Sequence, residues 1–150
     1  MLVRGAEQQD LDWLIGQLKE FSRFFGSHHV LFPHDDEAYA RNGLSGMMEK
    51  HLVLVAERED KTPIGFVAGI VTPHLFNPKL RVLCETFWWV IPEARMSLAA
   101  SKLLDAFTKW GQEHADWIIF SLEERTPVRD RGLLRRGFRL QERSYLMEVE

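Results

Sequence analysis

At His51 the spacing of apolar residues changes, and that change restricts the chain to folds that set helices against a sheet. Before it, Leu11, Leu14, Ile15, Leu18, Phe21, Phe24 and Phe25 recur every three or four positions, the mark of a helix with one buried stripe. Asp10 stands where an N-cap belongs. Residues 26–36 read as a loop, and a second helix starting near Asp35 or Asp36 turns Leu44, Met47 and Met48 inward. After His51 the pattern is that of strands. Residues 51–59 and 64–71 are β-rich runs joined by a hairpin at 60–63. Residues 80–90 are apolar on both alternating faces, as a central strand requires.

Pro92 breaks that strand, and Ser97 is placed to cap a helix whose inward stripe is Ala100, Leu103, Leu104, Phe107 and Gly111. Residues 116–122 read as another buried strand. Thr126-Pro127 then reads as the cap and first turn of a helix that ends at Arg135-Arg136-Gly137, with Gly137 as C′. Residues 144–149 close the chain as a strand with Tyr145, Met147 and Val149 on one face. The expected class is α/β (α+β), a single domain over residues 1–150.

The 150 residues include 10 Phe, 5 Trp and 2 Tyr, enough bulk for a sizeable core. A net charge of −3 carries no footprint for nucleic acid. The lone Cys84 excludes an intrachain disulfide and any multi-cysteine zinc site. No apolar run approaches the ~20 residues of a membrane helix, and the N-terminus has no signal-peptide pattern, so a cytoplasmic protein without membrane contact is expected.

The segment that carries chemistry runs from Val90 through Pro92, Arg95, Met96, Ser97, Leu98, Ala99 and Ala100 to Leu103-Leu104. A strand enters a short turn, and a helix then begins with small residues. Unpaired N–H groups at such a helix start, with the positive end of its dipole, make an anion site. Arg95 and Lys102 add charge at its rim.

With Val90, Pro92, Arg95, Ala100, Leu103 and Leu104 in register, the chain resembles the Gcn5-related N-acetyltransferase (GNAT) superfamily. The Gly137-Phe138 pair and the order of elements extend the likeness over essentially the whole chain. Residues 74–78 and 85–90 look like its phage- and prophage-encoded branch. The resemblance implies a central, mixed, mostly antiparallel sheet, splayed at the fourth strand and flanked by helices on both faces. It also implies transfer of acetyl from acetyl-CoA to a primary amine by direct attack on the thioester. Backbone groups of Trp88 and Val90 would bond the pantetheine arm, and the turn from Arg95 through Met96, Ser97, Leu98 and Ala99 to Ala100 would hold the pyrophosphate. The acceptor is a small molecule, aminoglycoside-like or otherwise, or a peptide or lysine amine. No metal is implied, and a homodimer is compatible with the exposed edges of a short sheet.

Glu85 is the candidate general base, because desolvation on an apolar strand raises a carboxylate towards neutral pKa. Strict alternation would put it on one face with Phe87 and Trp89. Its other reading is a structural carboxylate that bonds backbone or pairs with Arg81. The chain departs from the family pattern at three places. Leu98 occupies the first glycine position. Leu133 stands where a general-acid tyrosine is common, leaving the thiolate to be protonated by Tyr145 or water, or to need no dedicated acid. Thr126 replaces an asparagine. These departures keep a second reading open, a non-catalytic binding module of the same fold. The cluster His28, His29, His34, Asp35 and Asp36 fits no usual metal spacing and reads as solvated or capping. Cys84 reads as a small core thiol.

Overall fold

The computed structural model describes residues 1–126 and 129–149. Among these, five strands form one sheet in chain order: β1 (Leu2–Gly5), β2 (Leu52–Glu57), β3 (Pro63–His74), β4 (Asn77–Val90) and β5 (Trp117–Ile119). β1 to β4 pair antiparallel, and β5 joins β4 in parallel. α1 (Leu11–Phe24), α2 (His28–Leu31) and α3 (Ala38–Lys50) precede β2. α4 (Ala99–His114) separates β4 from β5, and α5 (Arg131–Arg135) follows.

Alternation along the strands builds a separate core on each face of the sheet. Leu11, Leu14, Ile15 and Leu18 of α1 pack with Leu44 of α3 against Val53, Val55, Phe66 and Trp89. On the opposite face, Leu103 and Phe107 of α4 meet Leu54, Val67, Leu83 and Val90. α4 sits directly on the sheet because two glycines leave room for it. A Cβ on Gly111 would lie 2.6 Å from Ile118 Cδ1, and one on Gly69 would lie 2.8 Å from the Phe107 ring. This is the expected mixed, mostly antiparallel sheet with helices on both faces.

Four local expectations are corrected. Asp10 precedes α1 but makes no side-chain cap bond there. Its carboxylate accepts from Arg4 Nη1 at 2.7 Å, Arg4 Nη2 at 3.0 Å and the Glu7 N–H at 2.7 Å. Arg4 Nε in turn donates to Glu57 at 2.9 Å. The capping pattern was local, whereas the partner that claims Asp10 lies on β1. The expected strand over 116–122 is only the three residues of β5, and Trp117 is exposed on it. The helix expected to start at Thr126-Pro127 begins at Arg131, and Pro127 lies outside the described residues. Its end is as expected: Gly137 has φ +90, and Phe138 N–H reaches back to Leu133 O at 3.1 Å.

The fourth correction concerns the C-terminus. Residues 144–149 form no strand, and Tyr145, Leu146, Met147 and Val149 are all exposed. An alternating pattern makes a segment fit to be a strand, but pairing needs an edge within its reach.

Candidate active site

β4 is paired on both sides only as far as Cys84, which stands opposite Ile119 in the last register position of β5. Beyond it, residues 85–90 stay bonded to β3 while the chain after β5 turns away. The fourth strand is therefore splayed, and a wedge opens between its second half and residues 120–122. Glu85 spans the apex, its Oε2 accepting the Ser121 N–H at 3.4 Å.

A β-bulge sits at this apex. Gly69 pairs with Glu85 and Ala68 with Phe87, so Thr86 is the extra residue, and its Oγ1 donates to Ala68 O at 3.2 Å. The insertion resets the alternation. Leu83, Trp88 and Val90 pack in the α4 core, whereas Phe87 and Trp89 pack in the α1 core. Glu85 falls on the face of Leu83, opposite Phe87 and Trp89, and the expectation of a shared face is corrected. Burial pushes its carboxyl up to about 8, with the Ser121 amide drawing it back down. Burial, and after it the charge of Glu85, also pushes the Cys84 thiol up, which suits a core thiol and not a nucleophile.

Past Val90 the chain makes a tight turn before α4. Ala94 N–H bonds Ile91 O at 3.0 Å, Arg95 N–H bonds Pro92 O at 3.4 Å, and Ser97 N–H bonds Ala94 O at 3.0 Å. Ser97 Oγ accepts the Ala99 N–H at 3.2 Å, but the N-cap of α4 is Leu98, without a side-chain cap bond, so Ser97 stands one place before the expected cap. The amides of Met96, Leu98, Ala100 and Ser101 find no backbone carbonyl among the described residues. Ser101 was missed in the sequence, although its place in the first helical turn marks it as an unpaired donor. Leu98 is 66% exposed and fills no internal space.

The side chains at the rim go elsewhere. The Arg95 guanidinium lies 4.7 Å from the Trp89 ring centroid and 5.1 Å from that of Phe24, and its Nε donates to Val90 O at 3.2 Å. A ligand drawing on the Val90 carbonyl would share it with Arg95. Lys102 Nζ reaches Met1 O at 3.4 Å. Arg136 is pinned to Asp105 at 2.7 Å and to Ser101 Oγ at 2.8 Å. Trp88 stands edge-on to Phe120, with centroids 5.2 Å apart, and its buried indole N–H has no partner among the described residues.

The fold thus gathers Glu85, Trp88, Val90 and the turn from Arg95 to Ala100 along one strand and the helix it feeds. Tyr145, on the tail beyond β5, is 90% exposed and lines a cavity with Phe120 and Ser121, while Leu133 is buried. His74 Nδ1 accepts the Phe76 N–H and Asn77 Oδ1 the Lys79 N–H, both within the β3–β4 turn. His28 faces Asp35 at 3.5 Å, and among the described residues no group of three His, Cys, Asp or Glu is placed to hold a metal.

No family model and no curated protein matches the sequence. Solved structures do match in fold. A probable acetyltransferase is 20% identical with a TM-score of 0.78, covering 100% of this chain and 99% of its own. AAC(6')-Iy, in complex with the bisubstrate analog CoA-S-monomethyl-acetylneamine, is 16% identical with a TM-score of 0.71, covering 99% and 97%. A predicted acetyltransferase with acetyl-CoA from Clostridium acetobutylicum is 18% identical with a TM-score of 0.70, covering 99% and 95%. The fold is that of the GNAT acetyltransferases.

Proposed function

We propose that the protein is an N-acyltransferase that moves acetyl from acetyl-CoA to a primary amine. One observation carries this reading: β4 has no second partner strand after Cys84, and the turn it feeds holds the amides of Met96, Leu98, Ala100 and Ser101, which find no backbone carbonyl among the described residues. A thin, elongated ligand with a diphosphate at one end and amides along its arm matches that sequence of groups. The orphaned indole N–H of Trp88, on this half of β4, supports the fit, because a buried donor without a partner is costly unless a ligand supplies one. Of the structural neighbours, one is in complex with the bisubstrate analog CoA-S-monomethyl-acetylneamine and another is with acetyl-CoA.

The coenzyme would supply an electrophilic thioester carbon. The chain's own residues do the rest. The amides at the start of α4 hold the diphosphate, and the free edge of β4 at Trp88 and Val90 orients the arm. Glu85, with its carboxyl near 8, takes the proton that an ammonium must lose before it can attack. Tyr145 enters only as the candidate donor to the departing thiolate, with water as the alternative. The acceptor is a small-molecule or peptide amine. Residues 74–78 and 85–90 carry the proposal of the phage- and prophage-encoded branch, and a cytoplasmic setting is proposed with it.

Calorimetry with acetyl-CoA and desulfo-CoA, paired with thiol release across a panel of amines, tests the assignment. Binding with turnover is the expected result. Binding without turnover on any amine indicates the non-catalytic module, and no binding at millimolar ligand removes the coenzyme altogether. Within the enzyme reading, kcat/KM rises with pH to a plateau above about 8. Glu85→Gln lowers turnover by roughly 10²-fold and leaves acetyl-CoA affinity unchanged. An unaltered pH profile in that variant would take Glu85 out of the chemistry.

A further inference from the structure

The end of α1 touches both the second half of β4 and the chain that follows β5. Phe24 lies edge-on to Trp89 of β4, with ring centroids 5.6 Å apart. Two residues on, Gly26 turns the chain out of the helix with φ +76, and a Cβ on it would lie 3.5 Å from Arg125 Nη1. Arg125 stands four residues past Ser121, whose N–H meets Glu85. Residues 24–26 therefore reach from the strand that carries Glu85 to the segment that faces it.

A guanidinium stands at each end of that reach. Arg95 lies 5.1 Å from the Phe24 ring centroid and 4.7 Å from that of Trp89, and its Nε donates to Val90 O. Its Nη1 and Nη2 have no hydrogen-bond partner among the described residues. Arg125 makes no ion pair among them, although Glu123 and Glu124 adjoin it in sequence. Arg23, near the same helix end, is taken up by Glu20 and Asp35. A guanidinium laid on aromatic rings with its fork free is preorganised to take a carboxylate or phosphate on two parallel N–H bonds. The surface between the two forks is apolar, with Phe24 40% exposed.

We propose that the acceptor at this site is an amine that also carries a negatively charged group, carboxylate or phosphate, and that Arg95 and Arg125 hold that group while the amine faces Glu85. The proposal rests on the acyl-transfer reading and names the substrate class which that reading leaves open. The four residues from Ser121 to Arg125 span at most about 13 Å, which suits a short acceptor whose methylenes cross the Phe24 ring. In the reaction the nitrogen bonds to the thioester carbon, the C–S bond breaks, and the thiolate leaves with the electron pair. The ammonium proton passes to ionised Glu85. Fixing the charged end of the acceptor holds its nitrogen near both groups.

Thiol release with amines that differ in their charged end gives the test. Glycine, β-alanine, 4-aminobutyrate, 6-aminohexanoate and phosphoethanolamine are set against glycinamide, ethanolamine and butylamine. The anionic members should show kcat/KM higher by roughly tenfold or more, with an optimum spacing, and the advantage should shrink as salt is raised. Whether the carboxylates or phosphoethanolamine lead decides which group the forks take. Arg125→Glu should raise KM for the anionic amines by roughly tenfold with acetyl-CoA affinity in calorimetry as in the parent, and Arg125→Lys should recover part of the loss. Turnover indifferent to charge, or confined to neutral and cationic amines, overturns this proposal alone. So does an Arg125→Glu protein that melts lower without a change in selectivity, which would assign the guanidinium to the C-terminal dipole of α1. No binding of acetyl-CoA, or binding without turnover of any amine, removes the acyl-transfer reading and this one together.

Discussion

Two carboxylates with opposite surroundings show what a side chain's neighbours decide. Glu85 is desolvated and holds its proton to about 8, whereas Arg4 and the Glu7 amide hold Asp10 below its usual range. The stability consequences run in opposite directions. Between pH 4.5 and about 8 the folded state keeps a proton on Glu85 that the unfolded chain has released, so this group's stabilisation is lost as pH rises. Glu85→Gln should therefore melt higher than the parent near pH 9, with the gap closing towards pH 5; a gap independent of pH would contradict the burial of this carboxyl. For Asp10 the stabilisation is present above its unfolded value of 3.8 and fades as pH falls below it. Arg4→Met strands Asp10 and Glu57, both buried, and should cost about 3 kcal/mol in denaturant unfolding at neutral pH. A loss below about 0.5 kcal/mol would place the pair among ordinary surface contacts. Neither partnership was legible in the sequence, because Arg4, Asp10 and Glu57 meet only when β1 pairs with β2. Glu85 was legible as a carboxylate on an apolar strand; its facing was not.

At the scale of elements, the period change at His51 and the turn into α4 were readable because each depends on local residue order. Helix α1, the hairpin into β3 and the C′ glycine at 137 stand where spacing put them. What could not be read depends on pairing: where β5 stops, where β4 takes an extra residue, and whether the last six residues find an edge. The turn before α4 also separates backbone from side chain. Its unpaired amides suit an anion, but Leu98 brings an exposed isobutyl group to a position where the resembling family uses glycine. Leu98→Gly should tighten acetyl-CoA binding, by up to about tenfold in calorimetry. It should also lower thermal stability, since glycine costs up to about 1 kcal/mol of backbone entropy. Weaker binding in that variant would show that Leu98 contributes contact to the ligand.

Across the whole molecule the packing is uneven. β2, β3 as far as Val71 and the second half of β4 are covered on both faces, while α5 and residues 139–149 add few buried side chains. Hydrogen exchange should rank accordingly, with amides of β2 and β3 opening only with global unfolding and those of α5 exchanging by local fraying. Equal protection in the two regions would mean that the C-terminal third is held as firmly as the centre of the sheet. The bulge at Thr86 has its own consequence. A chain without that residue would pair Glu85 with Gly69 and Phe87 with Ala68 in unbroken alternation, still turning Phe87 and Trp89 to α1 and Trp88 to α4. Loss of that codon would spare the facing of the strand, whereas gain of one more beside it would exchange inside for outside as far as Val90, so an insertion at this point should be far more damaging than the deletion.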